Sequence, residues 1–211
     1  MQFWNATSIG GTAYQRFALP NGSGGLAKQF VGGSAAGASS TETRVPGSIY
    51  AATASGAVSN TTTETTLLST VAGTKTLPTN FFSAAGSTAR ITVCGTITNT
   101  GTPTLDLKLK YGSTVIASTG ATTLVNITGT GNFTATFIVT CRSTGASGTV
   151  QASGLLTYFS TATTPNLVQF ADQNTTINTT TSNAIDLTAT WGTASASNTA
   201  TGTISVVEII Y

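Results

Sequence analysis

Few side chains of this chain could carry out chemistry, and histidine is absent altogether. Without histidine, the Ser-His-Asp and Cys-His nucleophile systems are excluded, and so are histidine-ligated zinc and iron sites. The two cysteines, Cys94 and Cys141, are too few for a thiolate metal site. The acidic groups that remain are six carboxylates: Glu42, Glu64, Asp106, Asp172, Asp186 and Glu208.

A pair of carboxylates is what glycoside hydrolysis requires. Asp106 and Asp186 lie in the middle of two predicted strands, and both point away from the predicted core. We interpret them as solvated charges on a sheet face, and a glycoside hydrolase is kept only as an alternative for an activity screen. No acidic cluster resembles a calcium loop, and the glycine-rich stretch 32–40 lacks the lysine of a phosphate-binding loop. The sequence therefore predicts a protein that is not an enzyme and has no cofactor and no metal.

The two cysteines each lie within a predicted strand. Cys94 and Cys141 could form a disulfide if their strands were neighbours with matched geometry. We favour the alternative, in which both are small buried side chains in a reducing compartment.

Only 7% of the residues are charged, whereas about a quarter of an ordinary soluble domain is charged. The β-branched residues that are abundant instead favour strands. A neutral surface of hydroxyl and methyl groups tends to associate, which suits a subunit packed against others. The eight basic residues are scattered, which argues against a nucleic-acid partner. No segment is apolar enough for a membrane span, and the N-terminus does not resemble a secretory signal.

The stretch 132–158 is the element around which we expect the fold to be organised. Two runs of strand-forming residues flank a short turn, in which Gly145 and Gly148 offer freedom at positive φ. Period-two alternation is typical of half-buried strands and predicts a long antiparallel hairpin. The residues predicted to share its inner face are Phe133, Ala135, Phe137, Val139 and Cys141 in the first run, and Val150, Ala152, Gly154, Leu156 and Tyr158 in the second.

Eight strands are predicted from residue 65 to the C-terminus, and no segment shows a helical period. Residues 104–111 alternate most cleanly, with three leucines and Tyr111 inward and Asp106, Lys108 and Lys110 in solvent. Gly95 is expected to mark a bulge. We interpret 160–182 as a long connection and the apolar last strand as lying mid-sheet or at a subunit contact. The predicted strands are 65–71, 88–98, 104–111, 114–118, 132–141, 149–158, 184–191 and 203–211.

This pattern predicts an all-β fold, an antiparallel β-sandwich of about eight strands that is jelly-roll-like and spans residues 61–211. Residues 1–60 differ, because their glycine-rich clusters and sparse apolar residues cannot form a core. A disordered tail is one interpretation. We favour an extended N-terminal arm that becomes ordered on another subunit, with single aromatic residues as anchors. The candidate anchors are Phe3, Trp4, Tyr14, Phe17 and Phe30. The short run 49–52 begins a first strand or ends the arm.

The block from Ser59 to Ile210 resembles a type of β-rich virion protein of tailed bacteriophages. The order of its elements carries the resemblance: a Thr/Ser-rich opening strand, an LP-x-x-FF element before a strand, an L-x-L-K-x-G hairpin, and two further turn and loop motifs. The first 60 residues lie outside it. The segments concerned are TETTLLSTVAGTKTLPTNFFSAAGSTARITVCGTI, TPTLDLKLKYGSTVIASTG, FIVTCRSTGASGTVQASG and NAIDLTATWGTASASNTATG.

The resemblance implies a jelly-roll-like sandwich on the virion surface, in a homo-oligomer that is usually a trimer. It implies synthesis in the host cytoplasm and the role of a capsid decoration, or cement, protein or of a head fibre. The arm would then lie over neighbouring copies of the major capsid protein, and a protein that binds assembled subunits better than loose ones stabilises the shell. No catalytic or binding residue is carried over, because the motifs are structural.

A tail-fibre domain that binds a receptor or a glycan is the alternative of a different class. In that interpretation the N-terminal segment attaches to the tail. The host would be bound by three predicted loops, 143–148, 160–182 and 192–200. The long shaft that normally precedes such a tip is not predicted in this sequence.

Overall fold

The computed structural model describes residues 47–51, 56–68 and 75–210. These residues form thirteen strands and no helix, so the prediction of an all-β protein is confirmed. In chain order the strands are β1 (Gly47–Ala51), β2 (Gly56–Ser59), β3 (Thr65–Thr66), β4 (Thr76–Leu77), β5 (Thr88–Thr98), β6 (Thr104–Tyr111), β7 (Thr114–Ser118), β8 (Thr122–Thr123), β9 (Gly131–Ser143), β10 (Gly148–Phe159), β11 (Pro165–Ile177), β12 (Asn183–Trp191) and β13 (Thr199–Ile209).

Two antiparallel sheets pack as a sandwich, as predicted. The seven-stranded sheet has the order β1-β13-β5-β9-β10-β11, and β2 also pairs with β13. The six-stranded sheet has the order β3-β12-β6-β7, with β4 on β12 and β8 on β6. Among the longer strands, the first pairs with the last (β5 with β13) and the second with the penultimate (β6 with β12). This nested pairing is the jelly-roll-like feature, whereas β9, β10 and β11 form a meander within one sheet.

The inner faces of both sheets meet in one apolar core. The alternating residues of β6 that were predicted to face inward are all buried, and each buried leucine contributes roughly 1.5–3 kcal/mol of burial free energy. Phe137 of β9 meets Phe170 of β11 edge to face, with ring centroids 4.3 Å apart. Trp191 is fully buried, and its indole N–H donates to the carbonyl oxygen of Val58 at 3.2 Å, which ties β2 to the six-stranded sheet.

The predicted hairpin is confirmed as β9 and β10, which lie side by side in the interior of the seven-stranded sheet. Its turn uses Gly145 at a φ of 119°. The Gly145 N–H donates to Thr179 Oγ1 at 2.9 Å, and the Thr179 N–H donates back to the Gly145 carbonyl oxygen at 3.0 Å. Gly148 has a different role from the one predicted, because a Cβ there would lie 2.6 Å from the carbonyl oxygen of Ser143.

The prediction of residues 160–182 as a connection is wrong, because β11 occupies most of this stretch and pairs with β10 along its length. The register shifts between Ala152 and Gly154, whose partners on β11 are Gln173 and Phe170. One extra residue on β11 therefore inverts its alternation halfway along, and the period-two signal is lost. The strand begins at Pro165 and forms a sheet edge, where proline and polar residues are tolerated.

Four further predictions concern the first and last strands and a bulge. The C-terminal strand lies mid-sheet, as predicted, between β5 on one side and β1 and β2 on the other. Strands β1 and β2 fall within residues 1–60 yet pair with β13. The strand predicted at 65–71 is present as β3 alone among the described residues, and the bulge expected at Gly95 lies in the facing strand at Thr203.

Candidate functional site

The two carboxylates considered for glycoside hydrolysis lie on the outer face of the six-stranded sheet. Asp186 of β12 pairs in register with Lys110 of β6, and Asp106 lies on β6 four residues before Lys110. At about 3.4 Å per residue this puts the two positions roughly 14 Å apart, whereas glycosidase pairs lie about 5–9.5 Å apart. Both side chains are only 21% exposed, so their prediction as solvated charges needs correction.

A network of ion pairs explains their burial. Glu64 accepts from Lys110 Nζ at 2.6 Å and from Lys108 Nζ at 3.1 Å, and Thr188 Oγ1 lies 3.1 Å away as a third donor. Lys108 also lies 3.4 Å from Asp106. Because Glu64 precedes β3 in the chain and the lysines are on β6, this cluster clamps the opening segment of the domain onto the sheet.

A second ion pair extends this network on the same face. Lys75 Nζ lies 2.9 Å from Asp186, and Thr66 Oγ1 donates to the same carboxylate at 2.5 Å. Together the two clusters pair three lysines with three carboxylates. We call this set the charge network: Glu64, Lys75, Asp106, Lys108, Lys110 and Asp186.

Two members of the charge network, Glu64 and Lys108, have pKa values shifted away from neutral pH, so each keeps its charge there. The hydrogen bond from Lys110, followed by those from Lys108 and Thr188, lowers the pKa of Glu64 from 4.5 to about 2, against the raising effect of burial. The hydrogen bond to Glu64 raises the pKa of Lys108. A general acid or base works best with a pKa near the working pH, so these two groups are suited to stability and not to proton transfer.

The two cysteines lie on opposite faces of the seven-stranded sheet and are both free thiols. Cys94 is in register with the outward-facing Thr134, whereas Cys141 lies seven residues further along β9 and is buried. A disulfide between them is therefore not formed, in agreement with the favoured prediction, although Cys94 is only half-buried. Burial raises the pKa of the Cys141 thiol, which lowers its nucleophilic fraction.

The outer face of the seven-stranded sheet is the surface that differs most from an ordinary solvent-facing sheet. We call the outward side chains of β13, β5, β9, β10 and β11 the open face. Among the described residues, four of the five exposed large hydrophobic side chains lie on it: Ile138 (40% exposed), Leu155 (43%), Leu167 (67%) and Ile204 (57%). Sequence alternation could identify the first two as outward, but not Leu167, because β11 was missed.

The strand register places these side chains in rows across the sheet. One row runs across five strands and consists of Ile204, Cys94, Thr134, Thr157 and Leu167. The next row consists of Val206, Thr92, Thr136, Leu155 and Gln169. A bulge in β13 makes both Thr203 and Ile204 point outward, so that the most exposed aliphatic side chains stand at the two ends of the first row.

Charged side chains lie only toward one end of the open face, among those that the structure describes. Arg90 and Glu208 face each other at 3.7 Å, with about half of each side chain exposed. Arg142 donates to Gln151 Oε1 from Nη2 at 2.7 Å. The middle of the face therefore consists of threonine hydroxyls, methyl groups and the Cys94 thiol, which cost little to desolvate compared with charges.

The other predicted site residues are not brought together. The aromatic anchors Phe3, Trp4, Tyr14, Phe17 and Phe30 lie outside the described residues. The three loops proposed as a receptor surface do not form one surface. The turn after β9 lies beside the β11–β12 connection at one end of the domain, whereas residues 192–198 precede Thr199, which pairs with Thr98 at the other end.

Within the described parts of the chain, no group of three metal-ligating side chains lies close enough together to hold an ion. No helix that could cross a membrane is found there either. No protein-family model matches the sequence, and no curated protein or solved structure was found to be similar to it. The described residues thus carry exposed aliphatic side chains on the outer face of one sheet and the charge network on the outer face of the other.

Proposed function

We propose that this chain is a structural protein of a tailed-bacteriophage virion, a capsid decoration protein that binds the outside of the head and stabilises the shell. The observation that carries the proposal is the open face, which has four exposed aliphatic side chains and an uncharged middle, on a chain of which only 7% of residues are charged. The resemblance of residues 59–210 to phage virion proteins supplies the setting.

The physical logic is that of a subunit that spends its life packed against others. Large exposed apolar patches on a soluble protein mark interaction surfaces. A decoration protein binds many identical positions on a shell, so modest affinity at each position adds up through repetition. The partners in this proposal are further copies of the chain and the major capsid protein.

The N-terminal segment is assigned the contact with the capsid. The formal charge of the whole chain is +2, with eight basic and six acidic residues. Residues 47–211 contain five of each, so they are neutral, and the net charge belongs to residues 1–46, with three basic residues and one acidic residue. A weakly basic segment that also holds the five aromatic anchors offers cationic and aromatic groups for contacting the capsid, in addition to the aliphatic groups of the open face.

The test is to label intact particles with an antibody raised against the chain and to examine them by electron microscopy. Label spread over the head is the expected result. Label confined to the tail would overturn the proposal in favour of a tail-fibre domain, although the two ends at which its predicted loops lie offer no single receptor surface. Unlabelled particles, with the chain abundant in the infected cell, would overturn both.

A deletion tests the role of the arm. Because β1 begins at Gly47, a variant lacking residues 1–46 keeps every described strand. We expect it to fold and to lose binding to heads, and retained head binding would refute the arm as the anchor. Replacing the five aromatic residues by alanine in the full chain should have the same effect, whereas replacing Arg16, Lys28 and Arg44 by glutamine is the matched control for charge.

A further inference from the structure

We propose that the open face is a contact between two copies of this chain, related by a two-fold axis that runs parallel to the strands along β9. This inference goes beyond the proposed function, with which it shares the open face, and it concerns only how the chain associates with itself. It rests on the symmetry of the face, on its charge and on its size.

The symmetry of the face comes from the position of β9. Within the open face two strands lie on each side of it, β5 and β13 on one side and β10 and β11 on the other, and β1 and β2 lie beyond β13. A two-fold axis along β9 places β13 of one copy over β11 of the other, and each row over itself. Ile204 then meets Leu167 of the second copy, and Ile138 meets its own equivalent. A self-complementary surface of this kind is what a two-fold contact requires.

The charges of the face are compatible with this arrangement. The Arg90–Glu208 pair lies on the β5 and β13 side, and the rotation carries it toward β10 and β11 of the second copy. Arg90 then lies over Ser153, which is the residue in register with Ile138 on β10. Glu208 is carried toward the part of β11 that contains Asp172, at the edge of the face, where Arg90 remains its partner and water can reach the charges.

The size of the face suits a stable contact. Five strands spaced about 4.8 Å apart, each contributing about nine residues at about 3.4 Å per residue, cover roughly 700 Å². A standard interface buries about 800 Å² on each partner. Two sheets packed face to face keep their strand directions within about 30° of each other, so the rows near the axis remain in contact despite the twist.

The experiment measures the mass of the full-length chain by light scattering after size exclusion, at about 100 µM, since interfaces of this size have dissociation constants from micromolar downward. The expected result is twice the mass of one chain. A single-chain mass would overturn the proposal and leave the face to the chain's own N-terminal segment or to the capsid. A trimer would overturn it too, because a closed threefold assembly has no two-fold contact between its subunits.

Matched variants decide whether the dimer uses this face. Leu155→Lys should weaken dimerisation at least tenfold, because it buries an unpaired charge. Val125→Lys is the control, since Val125 is equally exposed (43%) but lies outside the seven-stranded sheet, between β8 and β9. A dimer that Leu155→Lys leaves unchanged would overturn the assignment of the face.

A charge swap tests the symmetry. Ile204→Lys alone should reduce the mass to that of one chain, whereas the double variant Ile204→Lys with Leu167→Glu should restore the dimer, because the two-fold axis brings each lysine onto a glutamate. Both positions are exposed, so the variants should fold, as circular dichroism can verify. Failure of the double variant to restore dimerisation would overturn the axis along β9.

Discussion

The two outer faces of the sandwich differ in the side chains that they carry and in how those side chains are paired. On the six-stranded sheet, the charge network pairs three lysines with three carboxylates at distances of 2.6–3.4 Å. On the seven-stranded sheet, aliphatic side chains and threonines face solvent, and the only ion pair is a long one at 3.7 Å among the residues that the structure describes. The charged groups on the six-stranded sheet pair with one another, whereas the aliphatic side chains of the open face are exposed to solvent.

The difference shows how the few charged residues of the chain are distributed between the two outer faces. Six of the fourteen charged residues are in the charge network. There they hold together segments far apart in sequence, which stabilises the folded domain. Among the described residues, the middle of the open face has no charged side chain, so its transfer from water into a protein contact costs little free energy. Association is therefore expected through the open face, and stability at low pH is expected to depend on the network.

The largest contrast should appear in thiol reactivity, because Cys94 is half-exposed on the open face whereas Cys141 is buried with a raised pKa. With a thiol reagent at neutral pH, Cys94 should react about 100-fold faster or more, since Cys141 requires local opening of the sheet. The Cys94→Ser variant isolates the slow phase. Equal rates would contradict the contrast, and a Cys94 rate that falls as chain concentration rises would show that the face becomes covered.

Removing a carboxylate should cost much more on one face than on the other. Glu64→Ala leaves Lys108 and Lys110 without their shared partner, and we expect it to lower the free energy of unfolding by about 2 kcal/mol. Glu208→Ala removes a long, exposed pair on the open face and should cost less than about 0.5 kcal/mol. Urea unfolding of both variants at pH 7 measures the difference, and equal costs would mean that the charge network is no stronger than a surface pair.

Low pH should destabilise the folded domain through Glu64, the same carboxylate. The pKa of Glu64 in the folded state is about 2, below its ordinary value of 4.5, so the unfolded state binds more protons between these values. The stability that Glu64 contributes is present above pH 4.5 and is lost as the pH falls toward 2. We expect Glu64→Gln to unfold with a smaller pH dependence in this window. Glu208→Gln is the control and should follow the parent chain.

The smallest effect on stability is expected from polar substitution on the open face. Ile204→Thr keeps a β-branched residue at an exposed site and should change the free energy of unfolding by less than about 0.5 kcal/mol, measured at a chain concentration low enough that light scattering gives the mass of one chain. Val207→Thr, on the buried face of the same strand, should cost about 1–3 kcal/mol because it buries a hydroxyl. A large loss for Ile204→Thr would mean that the open face is part of the monomer core.

Alternation of side chains made much of the sandwich predictable. The hairpin of β9 and β10 and the inward leucines of β6 follow from period-two patterns, whereas the position of β13 within a sheet follows from apolar residues on both of its faces. The misassigned strand β11 shows the limit of this signal, because a bulge inverts its alternation and an edge position permits polar residues. The three loops that were predicted to bind a host are not brought together, because the antiparallel order of the strands places them at both ends of the domain.

Composition and local alternation are enough to predict an all-β protein, to exclude histidine-dependent chemistry and to show that the chain is poor in charge, because they require no knowledge of which strands meet. The contacts of the charged and exposed aliphatic residues depend instead on how the strands pair. Asp186 meets Lys75 across 111 positions, and Glu64 meets Thr188 across 124. The row from Ile204 to Leu167 exists only because five strands pair in one register. Such long-range pairing depends on the cooperative packing of two sheets, which no local pattern encodes.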